Sequence, residues 1–544
     1  LSKLLNDKPP TIASSIANIA SIIIKKHPDE YQCLSEISNA GGYINVNTDF
    51  TSEAYQTIND ILNLKSEYGS SDEGNGHKIL VEYSSVNIAK PFGVGHLRTT
   101  ILGNSLRHIF NKIGCDVVGI NYLGDWGTQF GKMIVAFQEW GSGINSGNES
   151  VSDLLELYVK FHDEAEKDDS LNDRARQAFQ KLETGDKELT ALWERFKNIS
   201  MKEFKRVYNL LGVEFDWITG ESFLNDKMEP VIQRLKKASL TSISEGALIV
   251  DLNDPQLPPC LLIKADGATL YSTREITGIL YRWDTYHFDE MLYVVASAQS
   301  DHFKQIFKVL TLLEEAEKTS GENIISKRIK HIEFGWVKFG DKTMSTRRGN
   351  IIFLEDVINK AVDLIKTKII EKNPNLKKID ETASIIGVGA VIFSQLSVRR
   401  QKDVNFNWAE VLNFEGETGP YLQYTHARLS SLLRNYDDDI SSDIEYDLLH
   451  NEEEQRIIEL LADFPDAVHD AAKNYEPFII SAYLIKLAGA FNKFYQRKDE
   501  TGRIDKIISN DKNLSLARIA LVKSTQTVIK EGLKLLGIQA PEEM

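Results

Sequence analysis

Ile79-Leu80-Val81-Glu82-Tyr83-Ser84-Ser85-Val86-Asn87-Ile88-Ala89-Lys90-Pro91-Phe92-Gly93-Val94-Gly95-His96-Leu97-Arg98 decides how the chain folds. Residues 79–84 are an apolar-rich run bounded by polar residues, the pattern of a strand. From about Leu97 the period changes. Ile101, Leu102, Leu106, Ile109, Phe110 and Ile113 fall on one face of a helix. Between strand and helix, Gly93 and Gly95 allow the backbone to approach a ligand without a Cβ in the way. The start of the helix offers free N–H groups and the positive end of its dipole, an anion site. Lys90 and His96 stand where they can reach phosphate oxygens. The spacing matches neither a Walker A loop nor the dinucleotide fingerprint. Taken alone, a tight turn in an ordinary α/β sheet accounts for it equally well.

Working outward, Val117–Tyr122 reads as the next strand, with further strands at Ala247–Leu252, Leu261–Ala265, Met291–Ala296 and His331–Val337. Helical patterns fill the space between them, and strands alternating with helices predict a parallel sheet. Residues 151–245 are mostly helical and read as material inserted into that sheet or hung from it. Beyond about residue 380 strand signals nearly vanish. Residues 383–435 and 455–536 are long helical patterns, which predict a C-terminal α-helical bundle. Upstream, residues 1–74 read as helix, strand, helix. Ile16, Ile19, Ile22 and Ile23 have helical spacing, and Gly41-Gly42 precedes the strand Tyr43-Ile44-Asn45-Val46. The polar, Gly-rich stretch from Gly69 to Gly76 is the clearest domain boundary.

The chain has 544 residues, which predicts about three to four domains. Its net charge of −16 argues against a generally sticky nucleic-acid binder but leaves room for a local basic groove. There is no run of about 18 consecutive apolar residues, so no span is expected to cross a membrane. Cys33, Cys115 and Cys260 are scattered. They form neither a disulfide framework nor a metal-ligand cluster, so a reducing compartment and no structural metal are expected. The acidic segment with Asp437, Asp438, Asp439, Glu452, Glu453 and Glu454 reads as a solvated loop and helix face.

A second constellation lies about 250 residues beyond the first. Lys342-Thr343-Met344-Ser345-Thr346-Arg347-Arg348-Gly349-Asn350 follows a predicted strand. It reads as a cationic, hydroxyl-rich loop able to neutralise a polyphosphate. By itself it is equally a solvent-exposed basic turn. Together the two resemble the HIGH and KMSKS signatures of class I aminoacyl-tRNA synthetases. Three further stretches narrow the resemblance to arginyl-tRNA synthetases: Val81 to Lys90, Asn121-Tyr122-Leu123-Gly124-Asp125-Trp126-Gly127-Thr128-Gln129-Phe130-Gly131, and Phe414-Glu415-Gly416-Glu417-Thr418-Gly419-Pro420-Tyr421-Leu422-Gln423-Tyr424. The resemblance runs from about residue 9 to Met544.

That resemblance implies an α/β protein with a Rossmann-like parallel-sheet catalytic domain and helical insertions over 75–380. A helical anticodon-binding domain follows over 381–544, and a partial α+β domain that touches the tRNA body precedes it over 1–74. It implies activation of L-arginine with ATP, accompanied by Mg²⁺, and transfer to the 2′-hydroxyl of the terminal adenosine of arginine tRNA. Lys90, His96, Lys342 and Arg347 are the implied catalytic groups, and Gly93, Gly95, His96, Met344 and Ser345 the implied ATP contacts. Arginine falls to Glu82, Asn87, Tyr271, Glu275 and Gln299, with Glu275 facing the guanidinium and Asn87 near the carboxylate and ammonium end. A planar fork of donors calls for such a carboxylate and fixed acceptors. Outside the resemblance, Tyr271 reads as a half-buried strand aromatic and Gln299 as a capping or surface amide. Tyr421, Tyr424, Tyr495 and Met544 are the implied tRNA contacts, against a plain reading as bundle core. A monomer in the cytoplasm is expected, with a mitochondrial location left open.

Three positions depart from the family pattern. Gly93 stands where the first HIGH histidine is usual, Glu275 where Asp is usual, and Glu543 where Arg precedes the final Met. The loop also lacks the KMSKS lysines around Met344-Ser345, which gives Lys90 weight as their replacement. These departures admit a second reading, a divergent, weakly active paralogue that binds tRNA. A nucleotidyl transferase of another class is disfavoured by the helical C-terminal third.

Overall fold

The computed structural model describes residues 2–27, 31, 34–143, 149–338, 352–440 and 443–544. Lys342, Met344, Ser345 and Arg347, and Cys33, lie outside the described residues.

The N-terminal part is a helix, Pro9–Lys26, packed on a hairpin of β1 (Leu34–Ala40) and β2 (Tyr43–Thr48) turned at Gly41-Gly42. The helix buries Ile12, Ala13 and Ala17 and leaves Ile16, Ile19, Ile22 and Ile23 exposed. The helical period is therefore real, but the isoleucine stripe is not its buried face. The next helix, Phe50–Leu64, packs on Glu452–Ala462 and Lys512–Leu535 of the C-terminal bundle.

Then come β3 (Lys78–Glu82), β4 (Asp116–Leu123), β5 (Trp217–Gly220), β6 (Thr241–Ser244), β7 (Ala247–Val250), β8 (Cys260–Ile263), β9 (Glu290–Tyr293) and β10 (Ile329–His331). The main sheet has the order β10-β9-β3-β4-β5, and every pair in it is parallel. Leu80 lies beside Val118 on one flank and Met291 on the other. Leu80, Val81, Ile120, Met291 and Leu292 are wholly buried, as expected of strands covered on both faces. The chain winds from β3 out to β5, then returns to the far side of β3 as β9. That reversal opens a crevice at the carboxyl ends of β3 and β9, where ligands bind in such sheets. Helices Val151–Ala165, Ser170–Glu183 and Lys187–Leu211 fill the connection between β4 and β5, the inserted material expected from the sequence.

Two expected strands belong elsewhere. The segments at 247–252 and 261–265 form β7 and β8 of a separate antiparallel sheet with β6. Glu245 and Gly246 both have positive φ, 50° and 80°, so they make a two-residue hairpin that folds β7 back on β6. The expected strand 331–337 is split. β10 ends at His331, and β11 (Val337–Lys338) pairs with β12 (Val404–Asn405), away from the main sheet. The break falls around Gly335, where a Cβ would stand 2.7 Å from the backbone carbonyl of Lys402.

In the bundle, helix Ile379–Leu396 is long and apolar enough by length and composition to cross a membrane, although the sequence has no unbroken apolar run of that length. Here it is a core helix between Leu354–Lys372 and Gly419–Arg434. The acidic segment is not solvated throughout. Glu454 is fully buried, accepts from Arg518 Nε at 2.7 Å and closes a capping box with Asn451. A charge run that begins a helix turns one member inward within a turn.

Candidate active site

The turn after β3 is held from many sides. Ser84 and Ala89 have φ of 60° and 58°, a conformation that costs a non-glycine residue about 1–3 kcal/mol. Contacts from three elements fix it. Ser84 Oγ lies 2.6 Å from Thr100 Oγ1 and 3.0 Å from Tyr208 OH, and Asn121 Nδ2 donates to the Ser84 carbonyl at 2.6 Å. The Ala89 N–H donates to Ser200 Oγ at 2.8 Å. The inserted helices thus shape the turn that carries Lys90. Lys90 Nζ reaches Gln129 Oε1 at 3.3 Å and lies over the Tyr158 ring at 5.1 Å.

Gly93 is buried and extended, with φ −85° and ψ 162°. A 3-10 turn, Val94–His96, leads into helix Leu97–Lys112. No side chain caps that helix, and although the Leu97 N–H turns back to the Val94 carbonyl, the positive end of the helix dipole stands open to an anion. Gly95 is exposed at this point, with open space where a Cβ would stand. Burial pushes the His96 imidazole down to about 4, and nearby Lys90 acts in the same direction. His96 is therefore neutral near pH 7, and charge at this end of the crevice falls to Lys90.

The residues flanking 339–351 converge on this turn. The Val94 N–H donates to the Ile352 carbonyl at 3.0 Å and the Leu354 N–H to the Phe92 carbonyl at 2.9 Å, with Gly93 bridging Phe353. On the other flank, the buried Arg98 donates to the carbonyls of Gly335 at 2.8 Å, Lys402 at 2.5 Å and Arg399 at 3.2 Å.

At the carboxyl ends of β3, β4 and β5 lies a cluster of charges. Glu82 ends β3, and Glu275 and Arg282 lie on helix Tyr271–Tyr286. Arg282 Nη2 is 2.5 Å from Glu82 Oε2, with both residues buried. Asp125, just past β4, is paired with Lys197 at 2.8 Å and accepts from Ser222 N–H and Oγ. Glu221, just past β5, is pushed up to about 8 by burial, which the nearby Arg274 opposes. Glu275 has no ion pair of its own among the described residues. Burial first, then the charges of Glu82 and Glu221, raise it to about 8 against the pull of Arg282. Four carboxylates thus share three nearby cations, and neither Glu275 nor Glu221 has an ion pair of its own among the described residues.

Of the other expected arginine contacts, Asn87 follows β3, Gln299 follows β9, and Tyr271 begins the helix that carries Glu275. Asn87 is half-buried and bridges Gly124 just past β4. Tyr271 is the first residue of its helix and exposed, where the sequence suggested a half-buried strand aromatic. Its hydroxyl is raised by burial and by Glu221. Gln299 lies farther out, exposed at the end of the turn Ser297–Gln299 on the β9 side. Sequence reading missed Arg282, Glu221, Arg98 and the Asp125–Lys197 pair. The seven-residue spacing of Glu275 and Arg282, two turns on one helix face, is the signal that would have found one of them.

In the bundle, Tyr421, Tyr424 and Met544 line one cavity of about 490 Å³ with Lys368, Lys372 and Arg428. Arg428 lies 4.8 Å from the Tyr424 ring centroid and 4.7 Å from that of Tyr495, so Tyr495 joins the group through the guanidinium. Tyr421 OH accepts from Asn492 Nδ2 at 2.9 Å.

A parallel sheet with a helix start at its switch point is joined to a helical C-terminal domain, and the match over the catalytic domain places the chain among the class I aminoacyl-tRNA synthetases. Residues 57–408 match the family described as tRNA synthetases class I (R), catalytic domain, and residues 422–544 match the DALR anticodon binding domain. The chain is 45% identical over 544 residues to the arginine–tRNA ligase of Clostridium botulinum and 44% identical to that of Clostridioides difficile. Each alignment covers 100% of this chain and 92% of the relative. The chain belongs to the arginyl-tRNA synthetase (arginine–tRNA ligase) family. In fold it is similar to the Thermus thermophilus arginyl-tRNA synthetase, with a TM-score of 0.83 at 24% identity, covering 100% of this chain and 93% of that one. The Plasmodium falciparum arginyl-tRNA synthetase gives a TM-score of 0.77 at 24% identity, with 96% and 91% covered.

Proposed function

We propose that this arginine–tRNA ligase runs its two steps in the crevice at the ends of β3, β4 and β9. In the first, the arginine carboxylate attacks the α-phosphate of ATP, giving arginyl-adenylate and pyrophosphate. In the second, the 2′-hydroxyl of the terminal adenosine of arginine tRNA takes the arginyl group and AMP leaves. No protein nucleophile is required. The protein supplies position and charge.

The observation that supports this reading is that β3 ends in Glu82, whose partner Arg282 shares a helix face with Glu275, and that the loop after β3 leads into the helix start at Leu97. One guanidinium completes the charge balance of the cluster, and the helix start receives phosphate. Gly93, Gly95 and His96 form the phosphate cradle, Lys90 supplies its charge, and Met344, Ser345, Lys342 and Arg347 come to it from the segment whose flanks meet there. Asn87 holds the α-ammonium and carboxylate end, and Tyr271 and Gln299 frame the mouth. The donor set at the cradle suits phosphate oxygens and not a metal, so Mg²⁺ enters as the partner of ATP. Tyr421, Tyr424, Tyr495 and Met544 receive bases of the anticodon loop around the 490 Å³ cavity, where Lys368 and Lys372 meet backbone phosphate. Residues 1–74 serve the tRNA body, 75–380 the chemistry and 381–544 the anticodon. The protein acts as a monomer. A cytoplasmic setting accords with the bacterial arginine–tRNA ligases that the chain resembles.

Arginine-dependent ATP–pyrophosphate exchange that requires arginine tRNA is the test. Absent exchange with intact tRNA binding would favour the divergent paralogue, a reading that nothing among the relatives supports.

A further inference from the structure

Arg98 is the second residue of helix Leu97–Lys112 and is wholly buried. Among the described residues it has no ion pair. Its partners are three main-chain carbonyls, of Gly335 at 2.8 Å, Lys402 at 2.5 Å and Arg399 at 3.2 Å. Burial lowers it to about 10, with Asp403 and Glu476 pulling the other way, so it is charged at neutral pH. Both acids have other partners. Asp403 pairs with Lys338 at 2.7 Å, and Glu476 accepts the Arg400 N–H at 3.2 Å. A buried cation held by carbonyl dipoles alone is costly, so stability does not account for it.

The turn that Arg98 grips is gripped from the far side as well. Arg400 donates from Nε to the Tyr475 carbonyl at 3.2 Å and from Nη1 to the Glu333 carbonyl at 2.9 Å. Its own carbonyl accepts the Gly335 N–H at 2.8 Å. Tyr475 and Glu476 form the corner between bundle helices Phe464–Asn474 and Phe478–Tyr495. The second of these helices runs 18 residues from the corner to the 490 Å³ cavity, where its Asn492 donates to Tyr421. A continuous set of packed, hydrogen-bonded elements thus joins that cavity to the start of helix Leu97–Lys112.

We propose that Arg98 is a positioning residue that couples these two places: it fastens the first turn of helix Leu97–Lys112 to the 399–402 turn, so that tRNA seated in the bundle sets the phosphate end of the crevice. Wholly buried, Arg98 itself touches neither ATP nor tRNA. It acts through the helix start. The inference rests on the reading of the cavity as the anticodon end and of the helix start as the phosphate end.

Coupling of this kind is reciprocal: the factor that tRNA exerts on the small substrates, they exert on tRNA. The test measures Kd for an arginine tRNA transcript on the full chain, with and without saturating arginine and α,β-methylene ATP, which cannot release pyrophosphate. In the wild type the two small molecules together are expected to tighten tRNA by at least about fivefold. In Arg98→Met that ratio should fall to within about twofold of one, while Kd for tRNA alone changes by less than about threefold. Arg400→Met, on the bundle side of the turn, should do the same. The combined variant should be no worse than either alone, the mark of a shared route. Tyr475→Phe removes a bond from the bundle to β9, the hydroxyl to Glu290 at 2.9 Å, and leaves the 399–402 turn alone. It should keep the wild-type ratio, which separates coupling from a loosened interface. If Arg98→Met does not fold, Arg400→Met and Arg98→Lys, which keeps the charge but cannot bridge three carbonyls, decide on the same criteria. A wild-type ratio in Arg98→Met overturns the inference. So does a ratio of one in the wild type, or a ratio lost equally in Tyr475→Phe. Arginine tRNA that does not bind, or exchange that does not depend on arginine, would instead sink the functional reading itself.

Discussion

Val94 donates its backbone N–H to the carbonyl of Ile352 at 3.0 Å, across 258 residues of sequence. The turn that opens helix Leu97–Lys112 is thereby stitched to Ile352, which follows the cationic segment 339–351. Arg98 performs the same service on the other flank, through the carbonyl of Gly335. The described residues on both sides of segment 339–351 are thus tied to the turn and helix that follow β3, one by main-chain hydrogen bonds and one by a guanidinium.

Gly93→His restores the imidazole that the family usually places first in its HIGH element. The extended backbone at this position suits any L-residue. One preorganised donor at a developing charge contributes about 10²–10³ in rate. The expected result is a faster exchange rate with KM for arginine little changed, measured by steady-state exchange. An unchanged or lower rate would mean that the site has been rebuilt around glycine.

Glu275 titrates near 8 because burial and two neighbouring acids oppose its charge. Below that pH the empty site holds a neutral carboxyl, which must lose its proton to receive a guanidinium. KM for arginine should therefore fall roughly five- to tenfold between pH 7 and 8.5 and flatten above, as the ionised fraction rises. The sign for stability is opposite. Folded protein binds more protons than unfolded between the ordinary 4.5 and 8, so stability of the empty enzyme declines as pH rises through that window. Glu275→Gln should abolish the pH dependence of KM, and its persistence would assign it to another group.

Glu275→Asp withdraws the carboxylate by one methylene. A displaced charge at a specificity pocket changes discrimination by about 1–3 kcal/mol. Because Asp is the usual residue in the family, the ratio of kcat/KM for arginine over its neutral isostere citrulline should rise. A fall would show that the floor built from Glu82 and Arg282 is fitted to the longer side chain.

Tyr424→Ala removes an exposed ring that Arg428 steadies at 4.8 Å. If a base stacks there, about 1–3 kcal/mol is lost. KM for tRNA in aminoacylation should rise while KM for ATP does not. Equal effects on both, or a lowered melting temperature, would return Tyr424 to a packing role.

The sequence disclosed the parallel sheet because β3, β4 and β9 lie in apolar-rich stretches that end at polar or glycine-containing loops. It did not disclose β5, four residues long, nor the placing of β7 and β8, which depends on the two positive φ angles at Glu245 and Gly246. Glu82 and Glu275 were legible as acids in the right pattern. Their different surroundings were not, because they arise from Arg282 reaching Glu82 and from Glu221 arriving just past an unforeseen strand. Glu454 was misread for a related reason: a run of acids says nothing about which member meets Arg518.

The most direct measurement is a crystal structure with a non-hydrolysable arginyl-adenylate analogue. The account predicts the guanidinium on the Glu275 carboxylate and the phosphate-replacing group at the N–H end of helix Leu97–Lys112, with Arg282 still on Glu82. A guanidinium seated elsewhere, with Glu275 facing solvent or protein alone, would contradict it.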